Sequence, residues 1–197
     1  RGSAPALYLR CAARVGPRAA GARYPPSTMQ TPTFIQLHRI DDRAMADEAV
    51  ADLLAARAHV SPKFFYDPLG SRLFDAITEL REYYPTRTEA AIFAVHGAAI
   101  AEAALGATGD SPVMIDLGAG NCAKAARLFG RLAPRRYVAV DISVDFLRDS
   151  LQRLQPEHPA MQMVGVGLDF SQRLHLPATL CPGPALVFYP GSSIGNF

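Results

Sequence analysis

The feature that most constrains the fold is an alternation of apolar runs with helix-like segments from residue 110 onward. Four runs have the character of buried strands, and they read PVMIDLG, RYVAVDI, MQMVGVGLDF and PALVFYP. Segments with helical spacing lie between the first three runs, near 122–132 and 144–154. Strands that alternate with helices build a parallel sheet from βαβ units. We therefore predict an α/β fold whose ligand lies at the carboxyl ends of the strands.

The preceding region, residues 41–108, has the pattern of a helical segment. An Ala/Leu-rich stretch at 43–60 favours a helix. We expect a second helix that Ser71 caps and that ends near the Tyr84-Pro85 pair, where the proline should break it. A third helix is predicted at about 87–104, with Thr86 or Thr88 as its cap.

Residues 1–40 differ from the rest in charge. They contain no Asp or Glu, and five arginines lie within residues 1–28. A transit peptide can have this composition, but Met29 is also a plausible start, and we expect residues 1–40 to be a disordered or misassigned tail. Without residues 1–28 the net charge of +2 becomes 2 − 5 = −3. No concentrated basic surface then favours a nucleic-acid partner.

Composition narrows the class of protein further. Hydrophobic residues make up 49% of the chain, enough for a substantial core. No uninterrupted apolar run reaches the roughly 18 to 20 residues of a membrane-spanning helix, so we expect no membrane partner. The three cysteines, Cys11, Cys122 and Cys181, lack metal-ligand spacing. We interpret them as reduced thiols of a cytoplasmic protein without a metal site.

The first predicted strand runs into a glycine turn that suits a nucleotide-containing cofactor. Gly118 and Gly120 lack a Cβ, so the chain can turn sharply and a ligand can lie against the backbone. Asp141 ends the second predicted strand, where its carboxylate can accept the hydrogen bonds of a ribose diol. These features fit NAD as well as S-adenosylmethionine, because Gly118-x-Gly120-x-x-Ala123 matches the loose dinucleotide pattern.

Three further features favour S-adenosylmethionine. Asp116 precedes Gly118 by two residues, and an acid there suits a cofactor with a cationic amino-acid end. Asp169-Phe170 ends the third strand with a carboxylate for an adenine amino group and a ring for its face. The fourth strand ends in PGSSIGNF, a polar turn where a methyl acceptor can lie.

These motifs, in their order, resemble the histidine-specific methyltransferase family. The resemblance covers about 61–197 and rests on the blocks FFYDPLGSRLFDAITELREYYPTRTEAAI, DLGAGNCAKAARL, YVAVDIS, LDF and FYPGSSIGNF. It implies a Rossmann-like, S-adenosylmethionine-dependent methyltransferase domain at 109–197. It also implies that residues 41–108 contribute to a second, substrate-binding domain. Since the family continues beyond the fourth strand, we expect a truncated form of this fold here, and a monomer at full length.

The resemblance also implies roles for individual residues. The positions that match cofactor residues are Gly118, Lys124, Asp141, Asp169 and Phe170. Two positions match substrate residues, because Asn196 would pair with the amino-acid group of the substrate and Tyr83 would border its imidazole or amine. Tyr66 would close over the cofactor. No catalytic base is implied within these residues.

The implied reaction is methyl transfer from S-adenosylmethionine to the α-amine of L-histidine, as in ergothioneine biosynthesis. Three alternatives stay open at this point. The chain could serve a methyltransferase that acts on another amino acid or amine, or it could be an inactive fragment. It could also belong to an NAD-dependent oxidoreductase, which Asp116 disfavours.

Overall fold

The fold is built on one parallel sheet. The computed structural model describes residues 30–37, 41–170 and 174–191. Over these residues the strands are β1 Thr33–Gln36, β2 Val113–Leu117, β3 Arg136–Asp141, β4 Gln162–Gly167 and β5 Ala185–Phe188. They lie in the order β1-β4-β3-β2-β5, and all four neighbouring pairs are parallel. The predicted α/β fold with a parallel sheet is confirmed.

Strand β1 is a correction to the sequence analysis. It lies within residues 1–40, where we expected a disordered tail, and it adds a fifth strand to the four that were predicted. Its register pairs Thr33 with Val164 and Gln36 with Gly167 on β4. A strand of four residues carries too little periodicity to be recognised, because its pairing with a distant strand decides its conformation. Residues 1–29 lie outside the described residues.

Within the described ranges, five α-helices accompany the sheet. They are α1 Asp42–Leu54, α2 Pro68–Thr78, α3 Tyr84–Thr108, α4 Ala123–Leu132 and α5 Val144–Leu154. Two predicted helix starts are wrong. Helix α2 begins at Pro68 with Asp67 as its cap, and Ser71 lies inside it. Helix α3 has Pro85 in its first turn and no side-chain cap. Proline suits the first helical turn, where its missing N–H leaves no hydrogen bond unmade.

The core lies on both faces of the sheet. On one face, α3, α4 and α5 contribute residues such as Phe93, Leu128 and Leu147, which pack with Met114 and Tyr137 of the strands. The other face carries valines and other aliphatic side chains of the strands, covered in part by segment 174–181. Burial on both faces explains why the strands read as continuous apolar runs.

Helix α3 has a composition that bears on the membrane prediction. Among the described residues it is the one helix long and apolar enough to cross a membrane by length and composition. Our expectation rested on uninterrupted apolar runs, and His96 and Glu102 interrupt the apolar residues of this helix. A single helix of this kind is weak evidence, since core helices of soluble proteins meet the same test. The absence of a membrane partner stays a prediction.

The strand register places the functional residues along one edge. Leu117 of β2 lies beside Val140 of β3, and Asp141 lies beside Gly167 of β4. The carboxyl ends of β2, β3 and β4 therefore finish nearly level, and the loops that follow them share the same edge of the sheet.

Candidate cofactor and substrate site

The glycine turn after β2 is held against the neighbouring strand. Gly118 and Gly120 adopt φ values of 69° and 53°, in the left-handed region that favours glycine. The N–H groups of Gly118 and Ala119 both donate to the Val140 carbonyl, at 2.9 Å and 3.1 Å. The turn thus folds back over the end of β3 and leads into α4, as the two glycines predicted.

Asp141 ties the ends of β2 and β3 together. One of its carboxylate oxygens accepts from the Gly120 N–H at 2.9 Å, and the other accepts from the Ser143 N–H at 3.1 Å. Burial raises the pKa of Asp141, while these backbone N–H donors act to lower it. Each oxygen keeps a further lone pair, so the carboxylate can still accept hydrogen bonds from a ligand.

The segment after β4 brings a second carboxylate and an aromatic ring to the same edge. Asp169 lies 3.9 Å from the Lys63 ammonium, which itself binds Glu48 at 2.6 Å. Phe170 contacts Tyr189 edge to face, with ring centroids 5.8 Å apart. The Lys63 contact joins the helical region to the end of β4.

The two tyrosines of the resemblance lie just before α2 and just before α3, and Phe74 of α2 contacts both of them. Phe74 lies between Tyr66 and Tyr83, with edge-to-face centroid distances of 6.2 Å and 5.9 Å. The Arg87 guanidinium donates to the carbonyls of Leu80, at 2.8 Å, and of Arg81. It also reaches the Tyr83 carbonyl at 3.5 Å. Arg87 therefore fixes the backbone that carries Tyr83.

These residues surround one cavity of about 650 Å³. Its lining includes seven residues that the sequence predicted, namely Tyr66, Tyr83, Gly118, Lys124, Asp141, Asp169 and Phe170. The remaining predicted residue, Asn196, lies outside the described residues, as does most of the PGSSIGNF turn. The structure thus brings the seven together, although their individual roles stay predictions.

Three other polar residues of the cavity were missed, namely Asp75, Glu89 and Asn121. Asn121 donates to Asp75 of α2 at 2.6 Å, and Lys124 of α4 pairs with Glu89 of α3 at 2.8 Å. All four line the cavity. Each pair joins groups that are far apart in the chain, so no local sequence pattern predicts the contact. Only the E of the YYPTRTE block could have drawn attention to Glu89.

Asp116 does not lie where the sequence analysis placed it. Its side chain is buried and accepts a hydrogen bond from the Tyr137 hydroxyl at 2.7 Å. It is not among the residues that line the cavity. The expectation that it faces a cationic cofactor end is wrong, because strand alternation turns it toward the face that the helices cover.

Cys122 shares this buried region. Its thiol is enclosed, and burial raises its pKa above the ordinary value of 9.0. A thiol held in its neutral form is a poor nucleophile. Over the described ranges, no group of three or more His, Cys, Asp or Glu residues is arranged to hold a metal ion.

The cavity suits S-adenosylmethionine by chemistry and by size. Pockets for small molecules span roughly 300 to 1,000 Å³, and 650 Å³ lies within that range. Carboxylates at two successive strand ends can bind hydroxyl and amino groups, and Phe170 offers a ring face. A lysine and a glutamate beside the glycine turn can bind charged groups.

Comparisons with known proteins agree with this chemistry. The model of a family described as histidine-specific methyltransferase, SAM-dependent, matches residues 45–197. The chain is 37% identical over 157 residues to the histidine N-alpha-methyltransferase of Mycolicibacterium smegmatis, an alignment that covers 78% of this chain and 47% of that protein. The protein of the same name from Mycobacterium tuberculosis is 34% identical, with the same coverage.

A eukaryotic relative is more distant. Ergothioneine biosynthesis protein 1 of Schizosaccharomyces pombe is 30% identical over 151 residues, which are 72% of this chain and 19% of that protein. The chain spans about half the length of the bacterial relatives it matches.

Proposed function

We propose that this chain, which belongs to the histidine-specific, SAM-dependent methyltransferase family, provides the cofactor-binding part of an enzyme that methylates the α-amine of L-histidine. The activity is a proposal for the protein as a whole, because about half of each bacterial relative has no counterpart here. The observation that supports it most is the single cavity lined by seven of the residues expected from the family motifs.

The residues at the strand ends would each bind a different part of the cofactor. Asp141 would bind the ribose hydroxyls, and Asp169 and Phe170 would bind the adenine. The glycine turn and Lys124 would bind the amino-acid end. S-adenosylmethionine, when bound, supplies a methyl group that its sulfonium makes electrophilic, so neither a metal nor an activated side chain is needed for its transfer.

The acceptor side rests on Tyr83 and Asn196. Tyr83 borders the cavity, and we propose that it contacts the imidazole or amine of histidine. Asn196 would pair with the amino-acid group. The acceptor amine needs a free lone pair, so these residues must favour its neutral form and align it with the methyl group. A fully methylated product would be the trimethylated betaine.

The domain organisation, the cellular location and the oligomeric state are part of the same proposal. Residues 41–108 would form part of a substrate domain. The full-length protein would be a cytoplasmic monomer without nucleic-acid or membrane partners.

An activity assay tests the proposal. The protein, at the full length its gene encodes, should methylate histidine with S-adenosylmethionine, and mass spectrometry should detect up to three added methyl groups. A panel of other amino acids and amines serves as the comparison. Preference for another acceptor would reject histidine as the substrate, and binding of NAD in place of S-adenosylmethionine would reject the reaction class.

Asn196 offers a more specific test of the acceptor side. In the full-length protein, Asn196→Ala should raise the KM for histidine far more than the KM for S-adenosylmethionine, because its amide would bind only the acceptor. An equal rise in both constants would show that Asn196 shapes the fold and does not recognise histidine.

A further inference from the structure

The ion pair between Glu89 and Lys124 is a contact that the sequence analysis did not predict. The two charged groups lie 2.8 Å apart, and the side chains are 17% and 38% exposed respectively. Both line the cavity. An ion pair on an open surface contributes little to stability, whereas this pair lies within the proposed binding site and presents opposite charges to it.

A glycine leaves space beside this pair. Gly191 follows β5 with a φ of 73°, and a Cβ built on it would lie 2.6 Å from the Glu89 carboxylate and 2.6 Å from the Lys124 ammonium. Any larger residue would require the flexible ends of both side chains to shift. The backbone at Gly191 therefore passes close to the pair, with no Cβ between them.

The strand order gives the position of the pair along the cavity. Asp169 follows β4 and Asp141 ends β3, so an adenosine bound there would lie over these two strands. The glycine turn follows β2, and Gly191 follows β5, which is the next strand in the same direction. Neighbouring strands are roughly 4.8 Å apart, so the pair lies about two to three strand spacings from the adenine end. A group attached to the ribose would extend toward it.

We infer that Glu89 binds the α-ammonium of the methionyl group of S-adenosylmethionine, while Lys124 binds its α-carboxylate. This inference rests on the proposed function. The methionyl group carries one positive and one negative charge on the same carbon, and adjacent Glu and Lys side chains match those charges. In the free protein each side chain neutralises the other, and bound ligand charges would take over that role.

The alternative role for Glu89 is to position Lys124. In that case the carboxylate would act only through the lysine, and its removal would weaken binding of any ligand that carries a carboxylate. The two roles predict opposite results with ligands that carry only one of the two charges, which makes them separable by binding alone.

The test is calorimetric binding to the full-length protein, with four ligands that share the adenosine. S-adenosylhomocysteine has both charges, and methylthioadenosine has neither. Two analogues of S-adenosylhomocysteine carry one charge each. The ammonium-only analogue lacks the carboxylate, and the carboxylate-only analogue lacks the amino group. The variants are Glu89→Gln and, as a matched control on the same helix, Glu102→Gln, whose side chain is exposed and does not line the cavity.

We expect Glu89→Gln to weaken binding of S-adenosylhomocysteine roughly tenfold to a hundredfold, the usual value of a hydrogen bond between charged groups. The affinity for the ammonium-only analogue should fall by the same factor. Methylthioadenosine should bind unchanged, which also shows that the variant is folded. The carboxylate-only analogue should bind equally well or more tightly, because Lys124 is then free of its competing partner. Glu102→Gln should change none of these affinities.

Three results would overturn the inference. Unchanged binding of S-adenosylhomocysteine would show that Glu89 does not contact the methionyl group. Weaker binding of the carboxylate-only analogue would show that Glu89 only positions Lys124. Equal losses for all four ligands, including methylthioadenosine, would show that Glu89 supports the whole cavity and does not recognise the ammonium. If the unmodified protein binds none of the four ligands, the proposed function itself fails, and that result is distinct from the other three.

Discussion

Asp141 illustrates how one side chain can serve both the backbone and a ligand. It accepts hydrogen bonds from the N–H groups of Gly120 and Ser143, and it also lines the cavity. We predict that Asp141→Ala weakens binding of S-adenosylmethionine by roughly 2 to 3 kcal/mol, because charge-assisted hydrogen bonds are lost. Calorimetric titration of the full-length protein measures the change.

The exposed Asp149 of α5 provides the control for this experiment, because it lies outside the cavity lining. Asp149→Ala should leave the affinity unchanged. A folded Asp141→Ala protein with unaltered affinity for S-adenosylmethionine would mean that the carboxylate serves only the glycine turn.

Asp116 should make the stability of the protein depend on pH. Burial raises its pKa from the ordinary value of 3.8 to about 7. The unfolded chain therefore loses this proton near pH 4, while the folded protein keeps it until about pH 7. Between these values the folded state holds more protons, so the free energy of unfolding falls as the pH rises.

We predict that Asp116→Asn removes this part of the pH dependence, since an asparagine can still accept the hydrogen bond from Tyr137 but cannot ionise. Thermal unfolding from about pH 5 to about pH 8 measures the difference in unfolding free energy between the variant and the parent protein at each pH. The variant should gain stability relative to the parent as the pH rises. A constant difference across this range would contradict the raised pKa.

The site residues that could be predicted from sequence are those whose position follows from the topology. Asp141 and Asp169 lie at or just after the ends of parallel strands, and such ends meet at one edge of a sheet. Asp116 is the counterexample, because it lies within β2, where alternation decides which face it occupies. Glu89 and Asp75 depend on how the helices pack over the turn, and no spacing in the sequence specifies that.

At the scale of elements, the loop between α2 and α3 is the part whose conformation depends most on one side chain. Arg87 lies in the first turns of α3 and donates to the carbonyls of Leu80, Arg81 and Tyr83. These carbonyls follow the end of α2, where carbonyl groups no longer have an intrahelical hydrogen-bond partner. The planar guanidinium can bind several of them at once, which a lysine ammonium on a flexible stem does less well.

We predict that Arg87→Gln raises the KM for histidine about tenfold, the equivalent of one charged hydrogen bond at the lower end of its usual range. The affinity for S-adenosylmethionine should change much less, because the strand ends that would bind it are untouched. Steady-state kinetics combined with cofactor titration separates the two effects, and Arg87→Lys should restore part of the loss.

Arg81→Gln is the matched control for this loop, since only the backbone carbonyl of Arg81 takes part in the contact. It should leave the KM for histidine unchanged. If Arg87→Gln raised the KM for the cofactor as strongly as that for histidine, the loop would support the whole cavity and not Tyr83 in particular.

Helix positions followed well from the sequence, but helix starts did not. The helices predicted near 122–132 and 144–154 agree with α4 and α5 to within a residue or two. The errors at α2 and α3 both concern proline. A proline can end one helix or begin the next, and only the path of the chain through the Tyr84-Pro85 pair decides between these.

At the scale of the whole molecule, polar contacts join the helical region to the sheet around the cavity. Lys63 reaches Asp169, Asp75 accepts from Asn121, and Glu89 pairs with Lys124. Each contact uses one residue from 41–108 and one from 109–170. Both regions therefore form the wall of the cavity.

The helical region exposes many large hydrophobic side chains. Large hydrophobic side chains are exposed on α1, α2 and α3, and the most exposed include Leu54 at 80% and Val95 at 73%. In the described part of the chain, β5 also has a strand neighbour on one side only, which is β2. Exposed apolar patches and open strand edges both promote association.

We predict that residues 1–197, produced alone, will be poorly soluble or will lack a cooperative unfolding transition, will bind S-adenosylmethionine weakly and will not turn over histidine. Within the residues that the structure describes, β1 and β5 are the edge strands of the sheet, and each has one strand neighbour. The weakness is therefore expected at these two edges and on the helices. Sedimentation, thermal unfolding and the methylation assay measure the three properties.

A surface variant tests whether the exposed apolar area is the cause of low solubility. Leu54, Leu73 and Val95 are exposed and do not line the cavity, so replacing all three with glutamine should raise the soluble fraction and leave any cofactor affinity unchanged. An unchanged soluble fraction would point to the open edges of the sheet instead. A sharp melt together with methylation of histidine by the unmodified 197-residue chain would contradict the prediction, because these residues would then suffice for both folding and chemistry.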